Sequence, residues 1–158
     1  MHLKKKILEG IRVIDLSQYL SGPHTTLLLA GLGAEVIRID HPKNGTSLAK
    51  TPIYFGKDGP SFIKKDETDI GISFLKRCRG KKSVTINLKT KLGHGLFLKL
   101  VKKSDILVEN FSVGVTKRLK VNYEFLNQIN PRLIFCSLTG YGSTGPDSHL
   151  KGYDTTTQ

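Results

Sequence analysis

No stretch of this chain approaches the roughly 20 consecutive apolar residues that a membrane-crossing helix needs, so a transmembrane reading is set aside. The basic start, Met1-His2-Leu3-Lys4-Lys5-Lys6, resembles the head of a signal peptide, but Glu9, Arg12 and Asp15 interrupt what would have to be its apolar region. A cytoplasmic setting is therefore expected. Cysteine is scarce: Cys78 and Cys136 share no short metal-binding spacing with each other or with a histidine, and in an intracellular chain such residues are expected to be reduced and structural. The chain has no HExxH, no CxxC pair and no carboxylate triad of metal spacing, so no metal is expected. It also lacks a GxGxxG after its first strand-like run and a GxxxxGK[ST] anywhere, which removes the support for a nicotinamide dinucleotide site or a P-loop. Internal repeats and low-complexity tracts are absent as well.

What the chain has in excess is positive charge. Twenty-five lysines and arginines face 13 acidic residues across 158 positions, giving a formal net charge of +12. The lysines are scattered and are not interleaved with aromatics as in a nucleic-acid groove, so no nucleic-acid partner is expected. A solvated basic surface and attraction for a polyphosphate ligand both remain open. An apolar content of 38% suits one soluble domain with a core of its own.

The hydrophobic pattern alternates between strand and helix. Residues 11–16 form a short apolar run bounded by Gly10 and Ser17, as in a buried strand. Ser21-Gly22-Pro23 interrupts it, and residues 24–32 favour a helix that Gly31 or Gly33 can end. Residues 34–40 alternate as a second strand, stopped at His41-Pro42. This β-α-β unit implies parallel strands and a right-handed crossover. Residues 43–71 carry glycine, proline and mixed charge without a period and are expected to be a long irregular connection. Strands are then expected at 82–88, 105–110 and 132–138. Helices are expected at 92–103, with Leu96, Leu100 and Val101 on its apolar face, and at 123–129. Such alternation predicts an α/β fold with a mostly parallel sheet. In such sheets ligands bind at the carboxyl ends of the strands, which singles out residues 18–24, 40–43, 110–114 and 140–145.

Two patterned segments flank this plan. Leu8-Glu9-Gly10-Ile11-Arg12-Val13-Ile14-Asp15-Leu16 runs on to Ser21-Gly22-Pro23, and Gly140-Tyr141-Gly142-Ser143-Thr144-Gly145-Pro146 is followed by Gly152-Tyr153-Asp154. Between them stand Leu32-Gly33-Ala34-Glu35-Val36-Ile37-Arg38-Ile39-Asp40-His41-Pro42, then Arg79 to Val84, Val108 to Gly114 and Asn130 to Ile134. In that order the chain resembles the family III CoA-transferases, the superfamily of formyl-CoA transferase, carnitine CoA-transferase and α-methylacyl-CoA racemase. The resemblance implies a Rossmann-like, mostly parallel sheet with flanking helices. Residues 1–158 would be the N-terminal portion of the large domain, with the smaller domain and the C-terminal return absent.

The same resemblance implies an enzyme that moves coenzyme A between an acyl-CoA and a free carboxylic acid through an enzyme-bound aspartyl intermediate. The coenzyme A thioester is then substrate and no separate cofactor is implied. Full-length members are interlinked homodimers. By position His41, Lys89, Asn110 and Arg118 fall where the family lines coenzyme A. Departures from the pattern are His41 in place of arginine, Cys78 and Gly80 in place of asparagines, Val113 in place of proline, and Lys120 and Asn122 in place of glycines. The family's nucleophilic aspartate stands about thirty residues after the Gly-Tyr-Asp segment. Asp154 falls too early for it and is expected to be a structural carboxylate, so no catalytic residue is assigned and the chain alone is expected to be inactive. Two alternatives stay open. One is an α-methylacyl-CoA racemase-like enzyme, disfavoured because Tyr153 stands where its histidine would be; the other is a truncated, non-catalytic CoA-binding module.

Overall fold

The β-branched run of Arg12–Asp15 forms β1, which lies at the centre of the main sheet. The computed structural model describes residues 5–153 and residue 156; Asp154, expected to be a structural carboxylate, lies outside them, as do the first four residues. After β1 come α1 (Ser21–Gly31) and β2 (Glu35–Asp40), then a 3-10 turn (Ser47–Lys50), the short strands β3 (Tyr54–Gly56), β4 (Gly59–Ser61) and β5 (Ile70–Gly71), and α2 (Ile72–Arg77). The second half holds β6 (Lys82–Thr85), α3 (Lys91–Val101), β7 (Ile106–Glu109), α4 (Val115–Leu119), α5 (Tyr123–Ile129) and β8 (Ile134–Ser137).

Five strands make one parallel sheet in the order β6-β2-β1-β7-β8. In order of appearance within that sheet, this is 3-2-1-4-5. The chain builds outward from β1 on one side and then returns to its other side, which puts a topological switch point between β1 and β7. A ligand crevice is expected at the carboxyl ends of those two strands.

Successive side chains of the central strands point to opposite faces, and the core divides accordingly. Ile14, Leu16 and Leu107 pack with Phe97 and Val101 of α3, Leu126 of α5, and Val121 and Leu133. Val13, Val36, Val108 and Ala34 pack on the other face, against Leu29 and Ala30 of α1. The apolar stripe of α3 differs from the expected one at Leu96 only, since Val101 is buried and Leu100 packs against the core. Gly93, Phe97 and Val101 are buried, one helical turn apart, while Leu96 is 47% exposed. Gly93 sets this rotation, because a Cβ there would stand 2.2 Å from the Asn87 carbonyl oxygen. The helix is capped by Thr90, whose hydroxyl accepts the Gly93 N–H at 3.1 Å. Thr90→Ala is expected to cost about 1 kcal/mol, to be read from the midpoint of a urea unfolding curve.

Two further expectations need correction. α1 begins at Ser21 rather than His24, since a proline in the first helical turn forfeits no internal hydrogen bond; Ser-Gly-Pro opens the helix and does not merely break the strand. The stretch from 43 to 71 is not irregular throughout. Its three strands form a separate antiparallel sheet in the order β4-β3-β5, and they are too short to leave a periodic signal. Close approaches hold this unit in place. Asp69 is buried against Gly56, where a side chain would collide with its carboxylate, and Gly71 faces the Leu48 and Thr51 carbonyls. The short helices α2 and α4 carried no sequence signal.

Candidate functional site

At the switch point the carboxyl ends of β1, β7 and β8 open into a cleft of about 530 Å³. Residues 19–21 form one part of its wall and residues 110–113 another. The stretch 138–141, with Ser148 and residues 150–153, completes it. The sequence placed ligand contacts at three of these four segments from strand ends alone. Tyr141 ties the last of them down by donating its hydroxyl to the Thr156 carbonyl at 2.9 Å.

Asn110 is the joint between the first two parts. Its Oδ1 accepts the Gln18 N–H and its Nδ2 donates to the Gln18 carbonyl, each at 2.7 Å. A single side chain thus satisfies both backbone groups of a residue leaving β1 and spans the gap between β1 and β7. Tyr19, next in the chain, takes a left-handed conformation (φ 62°) that non-glycine residues adopt sparingly. The turn is thereby fixed on both sides of the gap.

Of the four residues expected to line coenzyme A, only Asn110 belongs to the cleft wall. His41 directly follows β2, and its Nδ1 accepts the N–H groups of Lys43 and Asn44 at 3.2 and 3.4 Å. With Nδ1 occupied as an acceptor, the ring's donor is Nε2. Lys89 is exposed between β6 and α3, where its N–H donates to Asn87 Oδ1. Arg118 is exposed on α4. These three stand outside the cleft lining. A cation that the sequence reading missed, Lys151, does line it.

Beneath the β1 side lies a second unforeseen feature. Asp15, wholly buried, pairs with the Lys81 ammonium at 3.0 Å, and the lysine side chain is itself 1% exposed. The signal was available in principle, because a carboxylate ending an apolar strand needs a buried partner. A further buried ion pair joins Arg38 to Asp40 at 2.6 Å. The Arg38 guanidinium also contacts Cys78 Sγ at 2.6 Å and covers the Phe74 ring. Burial pushes the Cys78 thiol up from its ordinary pKa, the positive charge of Arg38 opposing it. Cys78 and Cys136 are both free thiols, in keeping with a structural place for Cys78. Among the described residues no cluster of His, Cys, Asp and Glu could hold a metal ion, and no helix is long and apolar enough to cross a membrane.

The family model described as CoA-transferase family III matches residues 8–158. The acetyl-CoA:oxalate CoA-transferase of Acetobacter aceti is 42% identical over 150 residues, which is 95% of this chain and 36% of that protein. The succinyl-CoA:glutarate CoA-transferase of Mus musculus is 39% identical over 149 residues, 94% of this chain and 32% of its own length. Among solved structures, a CAIB/BAIF family protein from Brucella suis matches with a TM-score of 0.82 at 35% identity, over 96% of this chain and 38% of that one. The chain spans about a third of the length of the curated relatives it matches.

Proposed function

The chain belongs to CoA-transferase family III, and from that membership we propose that its cleft is the acyl-CoA site of an enzyme moving coenzyme A between an acyl-CoA and a free carboxylic acid. The observation that carries this reading is the position of the cleft. It lies at the switch point of a 3-2-1-4-5 parallel sheet, and its walls are residues 19–21 between β1 and α1, the Asn110 turn and the Gly-Tyr loop with Ser148 and residues 150–153. Residues 1–158 are taken as the N-terminal portion of the large domain. A cytoplasmic, interlinked homodimer is part of the same reading.

In this reading Asn110 holds the wall beside the thioester arm. Lys89 and Arg118 supply positive charge for the phosphates, and His41 offers its Nε2–H near the adenosine end. A net charge of +12 raises the local concentration of a polyanionic substrate. The transfer runs through a carboxylate nucleophile. An aspartate carboxylate attacks the thioester carbonyl, forming an acyl-aspartyl anhydride and expelling CoA thiolate. The thiolate attacks the aspartyl carbonyl, releasing the first acid and leaving an aspartyl-CoA thioester. The acceptor carboxylate then attacks that thioester, expelling the thiolate and forming a new mixed anhydride. Attack of the thiolate on the acceptor's carbonyl yields the new acyl-CoA and frees the aspartate. No residue of the cleft described above is assigned the nucleophile's part.

Calorimetric titration with CoA, and with inorganic triphosphate as a charge control, tests the reading. CoA is expected to bind with a Kd of about 10⁻⁴ M or tighter, and Asn110→Ala to weaken it about tenfold. Equal affinity for triphosphate, or indifference to Asn110→Ala, would reduce the interaction to attraction between opposite charges and overturn the assignment.

A further inference from the structure

The Lys81–Asp15 pair takes no part in the reaction just described, yet its partners Asp15, Pro23 and Thr26 bracket the cleft-wall residues 19–21 along the chain. Lys81 immediately precedes β6, and its three ammonium protons have three acceptors. These are Asp15 Oδ2 at 3.0 Å, the Pro23 carbonyl at 2.9 Å and Thr26 Oγ1 at 2.6 Å. Thr26 passes its own proton to Asp15 Oδ2 at 2.6 Å. The other carboxylate oxygen, Oδ1, accepts the Ser17 N–H at 2.9 Å and the Ser17 hydroxyl. Every polar group in the cluster is therefore satisfied.

Buried ion pairs of this kind add little net stability compared with apolar groups of the same shape. What this one does is fix geometry, because its ligands all belong to the segment that turns from β1 into α1. Asp15 bends the chain at Ser17. Ser17 in turn packs into the space left by Gly22, where a Cβ would stand 2.1 Å from its own. The next residue, Gln18, is bound through both backbone groups to Asn110. Residues 19–21 follow as cleft wall.

We propose that Lys81 is a positioning residue for the cleft: by holding Asp15 and the Pro23 carbonyl together, it sets the β1–α1 turn against Asn110, so that residues 19–21 and 110–113 present one continuous wall. The consequence for ligand affinity rests on the acyl-CoA reading; the consequence for the turn does not.

Amide hydrogen exchange followed by NMR, with CoA titration on the same samples, separates the two. Lys81→Met is expected to speed exchange at the Ser17 and Gln18 amides about tenfold or more relative to those of Val101 and Leu107 in the core. It is also expected to weaken CoA binding about tenfold. Uniform acceleration across the chain would mean that Lys81 supports only global stability, and unchanged exchange would mean that it supports neither; both overturn the proposal. If Lys81→Met does not fold, Thr26→Val keeps both charges and the side-chain shape while removing the bridging hydroxyl. Selective acceleration at Ser17 and Gln18 in that variant supports the proposal, and a uniform or absent effect, or loss of fold, overturns it. Failure of the unmodified chain to take up CoA would sink the acyl-CoA reading and leave the exchange pattern to decide the positioning role. Where the unmodified chain binds, an unchanged Kd in the folded variant overturns the proposal.

Discussion

Asp15→Ala is expected to destabilise the chain by about 3–5 kcal/mol, the range for removing one partner of a buried ion pair. The carboxylate is fully buried, and its loss strands the Lys81 ammonium with two neutral acceptors, the Pro23 carbonyl and Thr26 Oγ1. Lys81→Met removes the opposite charge but should cost less. The remaining carboxylate keeps three donors, the Ser17 N–H, the Ser17 hydroxyl and the Thr26 hydroxyl, and hydrogen bonds to the charged form favour it. That asymmetry makes Lys81→Met the usable probe of the turn and Asp15→Ala the probe of stability. Combining Lys81→Met with Asp15→Leu should restore most of the loss, since an apolar pair of similar volume avoids both desolvation penalties. Urea unfolding of Lys81→Met, Asp15→Leu and the variant that combines them provides the cycle. Additive losses would show that the two charges act independently, and the close pair would then not be the source of the cost.

How much of this was legible in the sequence depended on the range of the interaction. α5 runs from Tyr123 to Ile129 as its pattern indicated, because a helix closed before Pro131 is a local matter. The central strands showed in the apolar run of residues 11–16 and the alternation of 34–40, and the carboxyl-edge rule led from the strand expected at 105–110 to Asn110. The Lys81–Asp15 pair joins positions 66 residues apart, and no local period reports such a contact. The same holds for the small sheet, whose strands are defined by pairing and by the closeness of Gly56 to Asp69 and of Gly71 to the Leu48 and Thr51 carbonyls. His41, Lys89 and Arg118 entered through family resemblance; Lys89 and Arg118 are long and exposed, and the ring of His41 is held within its own loop, through the N–H groups of Lys43 and Asn44. Asn110 is different: two hydrogen bonds to Gln18 define it, so its place follows from the fold itself.

Gly22→Ala should reverse the usual effect of such a change. Within a helix, glycine to alanine normally stabilises by up to about 1 kcal/mol, and Gly22 lies in the first turn of α1 with no positive φ to require glycine. Here the added Cβ would stand 2.1 Å from Ser17 Cβ and 2.5 Å from Ser17 Oγ, with Asn110 Cγ at 3.6 Å. Ser17 cannot yield by rotation alone, because the nearest atom is its Cβ, fixed by the backbone whose N–H is bound to Asp15. The turn itself has to move, so a net loss of about 1–3 kcal/mol is expected, with weaker CoA binding because the displaced turn carries the cleft wall. Adding Ser17→Gly removes the obstructing atoms and should recover part of the loss caused by Gly22→Ala. Unfolding curves and CoA titrations of Gly22→Ala in both backgrounds decide the point. If Gly22→Ala costs the same with serine or glycine at 17, the contact between these two residues does not set the turn. A marked recovery would show that the glycine of Ser-Gly-Pro is required by the neighbouring strand end, through sterics internal to the protein, rather than by the approach of a ligand.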